Sequence, residues 1–272
     1  MPATMVTETR DSAGAAGHAV ARAGDLLAGE WTKLRSARPT LVALLGTAAI
    51  MIVVGAWYCY HLSGQWAQTD HDPVRSPFVL SLLFAQLGVG VLGVLTITSE
   101  FASGMIRTTF TAVPQRGAAL AAKATAVGLL VLTAGEVLSL ITFFVGEAFL
   151  GRHGVTLAYP GALRAVVSGG CYLAAVALLG VGLGAIFRST AGSIVAMFVL
   201  TFLPTSVFGP LPQPPWSYRI YRYLLPSNAD RLISAHAHNG QVPFVLVALL
   251  ICAAYPAITL MTGYLLIKRR DV

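Results

Sequence analysis

Two carboxylates stand where carboxylates are rare. Glu136 and Glu147 interrupt the otherwise uncharged run 124–150. Eleven residues is about three helical turns, so the two share one helix face. An ionisable group inside such a run marks either a polar pathway or a polar bond to a neighbouring helix, and both readings stand open for this pair. Other reactive types do not gather. Cys59, Cys171 and Cys252 each sit alone in apolar sequence, without the CxxC or Cys/His spacing of a zinc site or a disulfide framework. His61, His71, His153, His236 and His238 fall at the ends of apolar runs or outside them, and His18 precedes them all. No catalytic set for an intramembrane protease or acyltransferase assembles. A GxxxxGK[ST] nucleotide loop is missing from the sequence. Catalytic residues, a metal site and a bound cofactor are therefore not expected on this chain.

The elements that must position these residues are apolar helices. The chain has 272 residues, 56% hydrophobic and 11% charged, whereas soluble domains carry about 25% charged residues. So little charge cannot cover a water-facing surface, and lipid is the natural solvent. A bilayer core of about 30 Å takes about 20 apolar residues in helix. Six runs meet that need, at about 41–61, 78–99, 124–150, 165–187, 189–209 and 242–267. The fourth and fifth meet at Arg188, Ser189 and Thr190, a tight hairpin, because one continuous helix would span far more than a bilayer. In the third run an acidic residue at the centre costs about 2.5–3.5 kcal/mol, and each Leu, Ile, Phe or Val returns about 0.3–0.6. The twelve such residues from Val127 to Val145 outweigh one penalty. Gly88, Gly90 and Gly93 in the second run, and Gly180 and Gly184 in the fourth, allow close helix approach.

Charge gives orientation. The net charge of +7 flanks the apolar runs, which fits an anionic membrane face and not nucleic acid. An N-terminus inside places 12 of the 18 Lys and Arg residues on the cytoplasmic side, so both termini are expected there. The expectation is an all-α membrane protein with six transmembrane helices in a single domain over 23–272. Residues 1–22, rich in Ala, Gly, Ser and Thr, read as a disordered cytoplasmic tail. Between Ala23 and Arg35 the residues Leu27, Trp31 and Leu34 recur at helical spacing, with Asp25, Glu30, Lys33 and Arg35 as polar companions. That is an amphipathic helix for the membrane interface, ahead of a break at Pro39.

Two connections are long: Glu100–Lys123 on the inner side and Pro210–Gln241 on the outer side. Within the first, Ile106, Phe110 and Val113 again fall at helical spacing, ended by Pro114. A surface helix of this kind either lies in the headgroups or docks into a partner's groove. The second is rich in proline, which breaks helix, and in aromatics suited to the lipid–water boundary.

The string SEFASGMIRTTFTAVPQRGAALAAK resembles the loop after the second span in ABC-2 type permeases, the membrane subunits of many bacterial ABC exporters. Glu100, Gly104, Arg107, Pro114, Arg116 and Lys123 match that pattern, and the six-span layout agrees with it. The resemblance implies that this loop is a coupling helix seated in a cleft of a separate ABC ATPase subunit, which holds ATP and magnesium. It also implies that the helix around Trp31 touches that subunit, that short re-entrant helices cap the outer side, and that a second copy or a related permease completes the pair in the bacterial plasma membrane. An ion- or proton-coupled secondary transporter is the alternative. That class often shows internal repeats and interrupted helices near the midplane, and no repeat is evident.

Overall fold

The computed structural model describes residues 24–66, 72–103, 116–203, 220–221, 223–234 and 242–269. The expected tail, the segment bearing Gly104, Arg107, Ile106, Phe110, Val113 and Pro114, and much of Pro210–Gln241 lie outside the described residues. The described residues form helices and turns, with no strand among them. Helix α1 covers residues 24–36. One extended residue, Ala37, separates it from α2, Arg38–Ser63, which carries Pro39 in its first turn, where a missing N–H costs nothing. Next come α3, Val79–Ala102, and α4, Arg116–Leu150. Then follow α5, Ala162–Phe187, α6, Thr190–Thr201, α7, Leu225–Ile233, and α8, Val242–Arg269.

Among the described residues five helices, α2, α3, α4, α5 and α8, are long and apolar enough to cross a membrane. Helix is the form that satisfies every backbone N–H and C=O within a single segment, as a hydrocarbon solvent demands. The fifth expected run is α6, whose 12 residues are too few to cross alone; residues 204–219 lie outside the described residues.

Helix α4 begins eight residues before the boundary expected at 124. Ala118, Ala119, Ala121 and Ala122 favour helix, and the charge of Lys123 is met by partners, so it does not end the element. With 35 residues at about 1.5 Å each, α4 exceeds a bilayer core, and its first turns hold Arg116 and Lys123 beyond the apolar stretch.

The bundle is organised around α5, which packs on α3, α4, α6, α7 and α8, while α2 lies against α3 and α4. Small residues let α5 take the centre. A Cβ at Gly93 would overlap the carbonyl oxygen of Ala177, and one at Gly180 that of Gly90. The glycine clusters of the second and fourth runs therefore bring α3 and α5 of one chain into backbone contact. At the end of α5 the chain reverses sharply. Arg188 adopts a left-handed conformation, φ 52°, and its N–H donates to Gly184 O at 3.0 Å. Ser189 then caps α6, its Oγ accepting from Gly192 N at 3.4 Å.

On the opposite end of the bundle, α7 buries Leu225, Ala229, Leu232 and Ile233. Asp230 of α7 pairs with Arg75 Nε at 2.7 Å. Ser234 Oγ donates to Asp72 Oδ2 at 2.8 Å, and its carbonyl accepts from Arg164 Nη2 at 2.5 Å. These bonds tie α7 to the α2–α3 connection and to the first turn of α5.

Candidate functional site

Four charged side chains meet where α1, the end of α3 and the start of α4 converge. Lys123 Nζ lies 2.6 Å from Glu30 Oε2 and 2.8 Å from Glu100 Oε1. Lys33 Nζ lies 2.6 Å from Glu30 Oε1 and 3.6 Å from Glu100 Oε1. Glu30, Glu100 and Lys123 are all buried, at 8%, 6% and 7% exposure, while half of the Lys33 side chain faces outward. Two acids and two bases balance, which is what makes burial of the charges tolerable. Burial alone would raise the Glu30 carboxyl, but Lys123 and then Lys33 overcome it and hold it below the ordinary carboxylate range. Burial likewise works to lower the Lys33 ammonium, and Glu30 with Glu100 hold it above its ordinary value.

Local sequence explains how each group gets there. Glu100 is near the last turn of α3, and Lys123 is two turns into α4, so one ion pair closes the base of the segment between Ser103 and Arg116. Glu30 falls between the partly buried Leu26 and the buried Leu34 around α1, about 40° from each at 100° per residue. Helix α1 therefore turns Leu34 and Glu30 inward; Leu34 is 6% exposed and Trp31 is 42% exposed. The expected division, with Leu27, Trp31 and Leu34 on one face and Glu30 among the polar residues, is corrected on this point. Glu30 is a buried anchor because Lys123 supplies a counter-charge 93 positions away. Leu27 is half-buried.

The next residue on α3 extends the site. The guanidinium of Arg188, at the α5–α6 turn, sits 5.3 Å from the centre of the Phe101 ring, a cation–π distance. The foot of the loop thus touches the reversal between the central helix and α6.

Of the residues that the loop motif singled out, the structure brings Glu100 and Lys123 together. Arg116 opens α4, and Gly104, Arg107 and Pro114 lie outside the described residues. Glu30 and Lys33 were not singled out; the signal that could have found Glu30 is its place inside the apolar stripe of α1.

The two carboxylates of α4 do different work. Glu136 is half-buried beside the Gly170 backbone, where a Cβ would overlap the carboxyl. The Cys171 thiol points at its Oε1 at 3.8 Å, a weak contact. Glu147 Oε2 accepts from the Val155 N–H at 2.6 Å and so pins the turn that follows α4. Among the described residues no three His, Cys, Asp or Glu side chains group as a metal site.

No curated protein matches the chain. A family model described as "ABC-2 family transporter protein" matches residues 26–204, from α1 through the α5–α6 hairpin and the whole ion-pair cluster. With several membrane-crossing helices and about two thirds of its length covered by that match, this chain belongs to the ABC-2 transporter family and is a multi-pass membrane permease.

Proposed function

We propose that this permease is the membrane half of a bacterial plasma-membrane ABC exporter, driven by a separate ATPase subunit that holds ATP and magnesium. In this reading the chain crosses the membrane six times, with α6 and the residues after it forming the fifth span. Both termini are cytoplasmic, α1 lies at the inner interface, and a second copy or a related permease completes the pathway. The loop Glu100–Arg116 is the coupling element that seats in the ATPase.

The observation that carries this reading is the buried cluster of Glu30, Glu100 and Lys123. A loop that receives force from a partner needs a stiff footing. Lys123 joins the helices on both sides of the loop to each other and to α1, so a push on the loop moves three elements together. Phe101 against Arg188 hands part of that motion to the α5–α6 turn. The charges are also balanced within the chain, which suits a mechanical joint better than a site for a charged cargo.

The test is affinity purification of the full chain from its native membranes, followed by reconstitution. A P-loop ATPase is expected to co-purify at a comparable amount. Replacing 104–115 with a Gly/Ser linker of equal length is expected to abolish that association while the permease still folds. Transport by the chain with no ATPase present would refute the proposal.

A further inference from the structure

At the membrane face that carries the ion-pair cluster, α4 and α8 stand apart. Both pack on α5 but touch each other little, and the reason is side-chain size. The first turns of α4 present Gly117, Ala118, Ala121 and Ala124, none of which reaches across. The result is an open groove of about 970 Å3, walled by Gly117, Ala121, Thr125, Met261 and Tyr264, with Lys268 at its mouth. That volume lies at the upper end of the ~300–1,000 Å3 typical of small-molecule sites. Its walls are mostly apolar, and the Tyr264 ring lies directly over Gly117.

The mouth has the opposite character. Lys268 and Arg269 form the exposed last turn of α8. Among the described residues neither has a carboxylate within ion-pair distance. This contrasts with Lys123, a short way along α4, whose charge is fully matched. An apolar slot along two membrane-crossing helices, with two exposed cations at its polar end, complements an amphiphile with a negative head and a hydrocarbon tail. Basic side chains at such a position attract anionic lipid.

We propose that the α4–α8 groove binds an anionic phospholipid of that leaflet, its acyl chain along Ala121, Thr125 and Met261 and its phosphate on Lys268. The lipid fills the space that the small residues of α4 leave open. The site rests on α4 and α8 being membrane-crossing and is independent of the coupling role of the loop.

The test uses the purified full-length chain, equilibrated with equal amounts of phosphatidylglycerol and phosphatidylcholine. Retained lipid is counted by native mass spectrometry. The wild type is expected to retain phosphatidylglycerol in preference. Lys268→Gln is expected to reduce that preference about fivefold, the worth of one basic side chain at an anionic surface. Ala121→Phe, at an exposed position, is expected to fill the slot and lower retention of both lipids. Arg38→Gln removes an exposed charge at the start of α2 on the same face and is expected to leave the preference intact. Equal retention of the two lipids by the wild type would overturn the site. So would a loss in Arg38→Gln as large as that in Lys268→Gln, because the attraction would then belong to the surface as a whole. Matched unfolding midpoints in phosphatidylcholine confirm that the variants are folded.

Discussion

Replacing Lys123 by methionine isolates the energetics of the cluster. Methionine keeps most of the side-chain length and helix propensity and removes only the charge. Glu30 and Glu100 then stay buried, with Glu30 Oε1 2.6 Å and Glu100 Oε1 3.6 Å from Lys33 as their remaining compensation. Removing one partner of a buried ion pair costs about 3–5 kcal/mol. Lys33 is half exposed and offsets part of that loss, so the lower end, about 3 kcal/mol, is expected. This is roughly a hundredfold in the unfolding equilibrium, at tenfold per ~1.4 kcal/mol. The assay is equilibrium unfolding in mixed micelles, with limited trypsin digestion at Arg107 and Arg116 as a local reporter of the loosened loop base. A second variant separates charge from packing. The triple change Glu30→Gln, Glu100→Gln, Lys123→Met leaves no buried charge and is expected to recover most of the loss, since an uncharged core in place of a buried ion network is often neutral. A loss below about 1 kcal/mol for Lys123→Met, the range of exposed ion pairs, would refute the reasoning. So would a triple variant less stable than the single one.

Three further outcomes follow from the same geometry. The docking of α1 depends on pH at both extremes. The lowered Glu30 carboxyl contributes stability above its unfolded value of about 4.3 and loses it as pH falls through the lower folded value; the raised Lys33 ammonium contributes fully below about 10.4 and loses it as pH rises through its higher folded value. Hydrogen exchange across 24–36 is expected to be slow between these limits and to accelerate beyond them, and a flat profile into acid would contradict the Glu30 contacts. Gly93→Ala forces a Cβ onto the Ala177 carbonyl and is expected to cost about 1–3 kcal/mol, whereas Gly46→Ala, with open space around it, is expected to be neutral or slightly stabilising; thermal melting of the two variants in one lipid compares them. Glu147→Gln keeps an acceptor for the Val155 N–H and is expected to leave stability nearly unchanged, while Glu147→Ala leaves that N–H unpaired at about 1–3 kcal/mol; equal melting of the two would remove the pinning role.

Much of the fold was legible because membrane insertion is decided locally. A run of about 20 apolar residues carries its own reason to be a helix in lipid, independent of what packs beside it. Five runs and the reversal at Arg188 and Ser189 could therefore be placed from sequence. The early start of α4 could not. Whether Lys123 ends a helix or continues it depends on whether Glu30 and Glu100 arrive to meet its charge. The motif drew attention to Glu100 and Lys123, yet Glu30 and Lys33 enter only when α1 folds back on the bundle. Glu136 and Glu147 share a helix face by periodicity, but their neighbours, Cys171 for one and Val155 for the other, differ because the chain turns back after Leu150.

By itself the sequence determined what each segment must be: which stretches are apolar enough to cross, where basic residues crowd, and which glycines allow close approach. These are properties of composition and of the 3.6-residue repeat. Only the tertiary structure decided which segments meet. It set α3 against α5 through Gly93 and Gly180, turned Glu30 inward to Lys123, and left the cations at the end of α8 beside an open groove. Charge pairing and close packing are fixed in space, between residues far apart in the chain, and no local pattern specifies the partner.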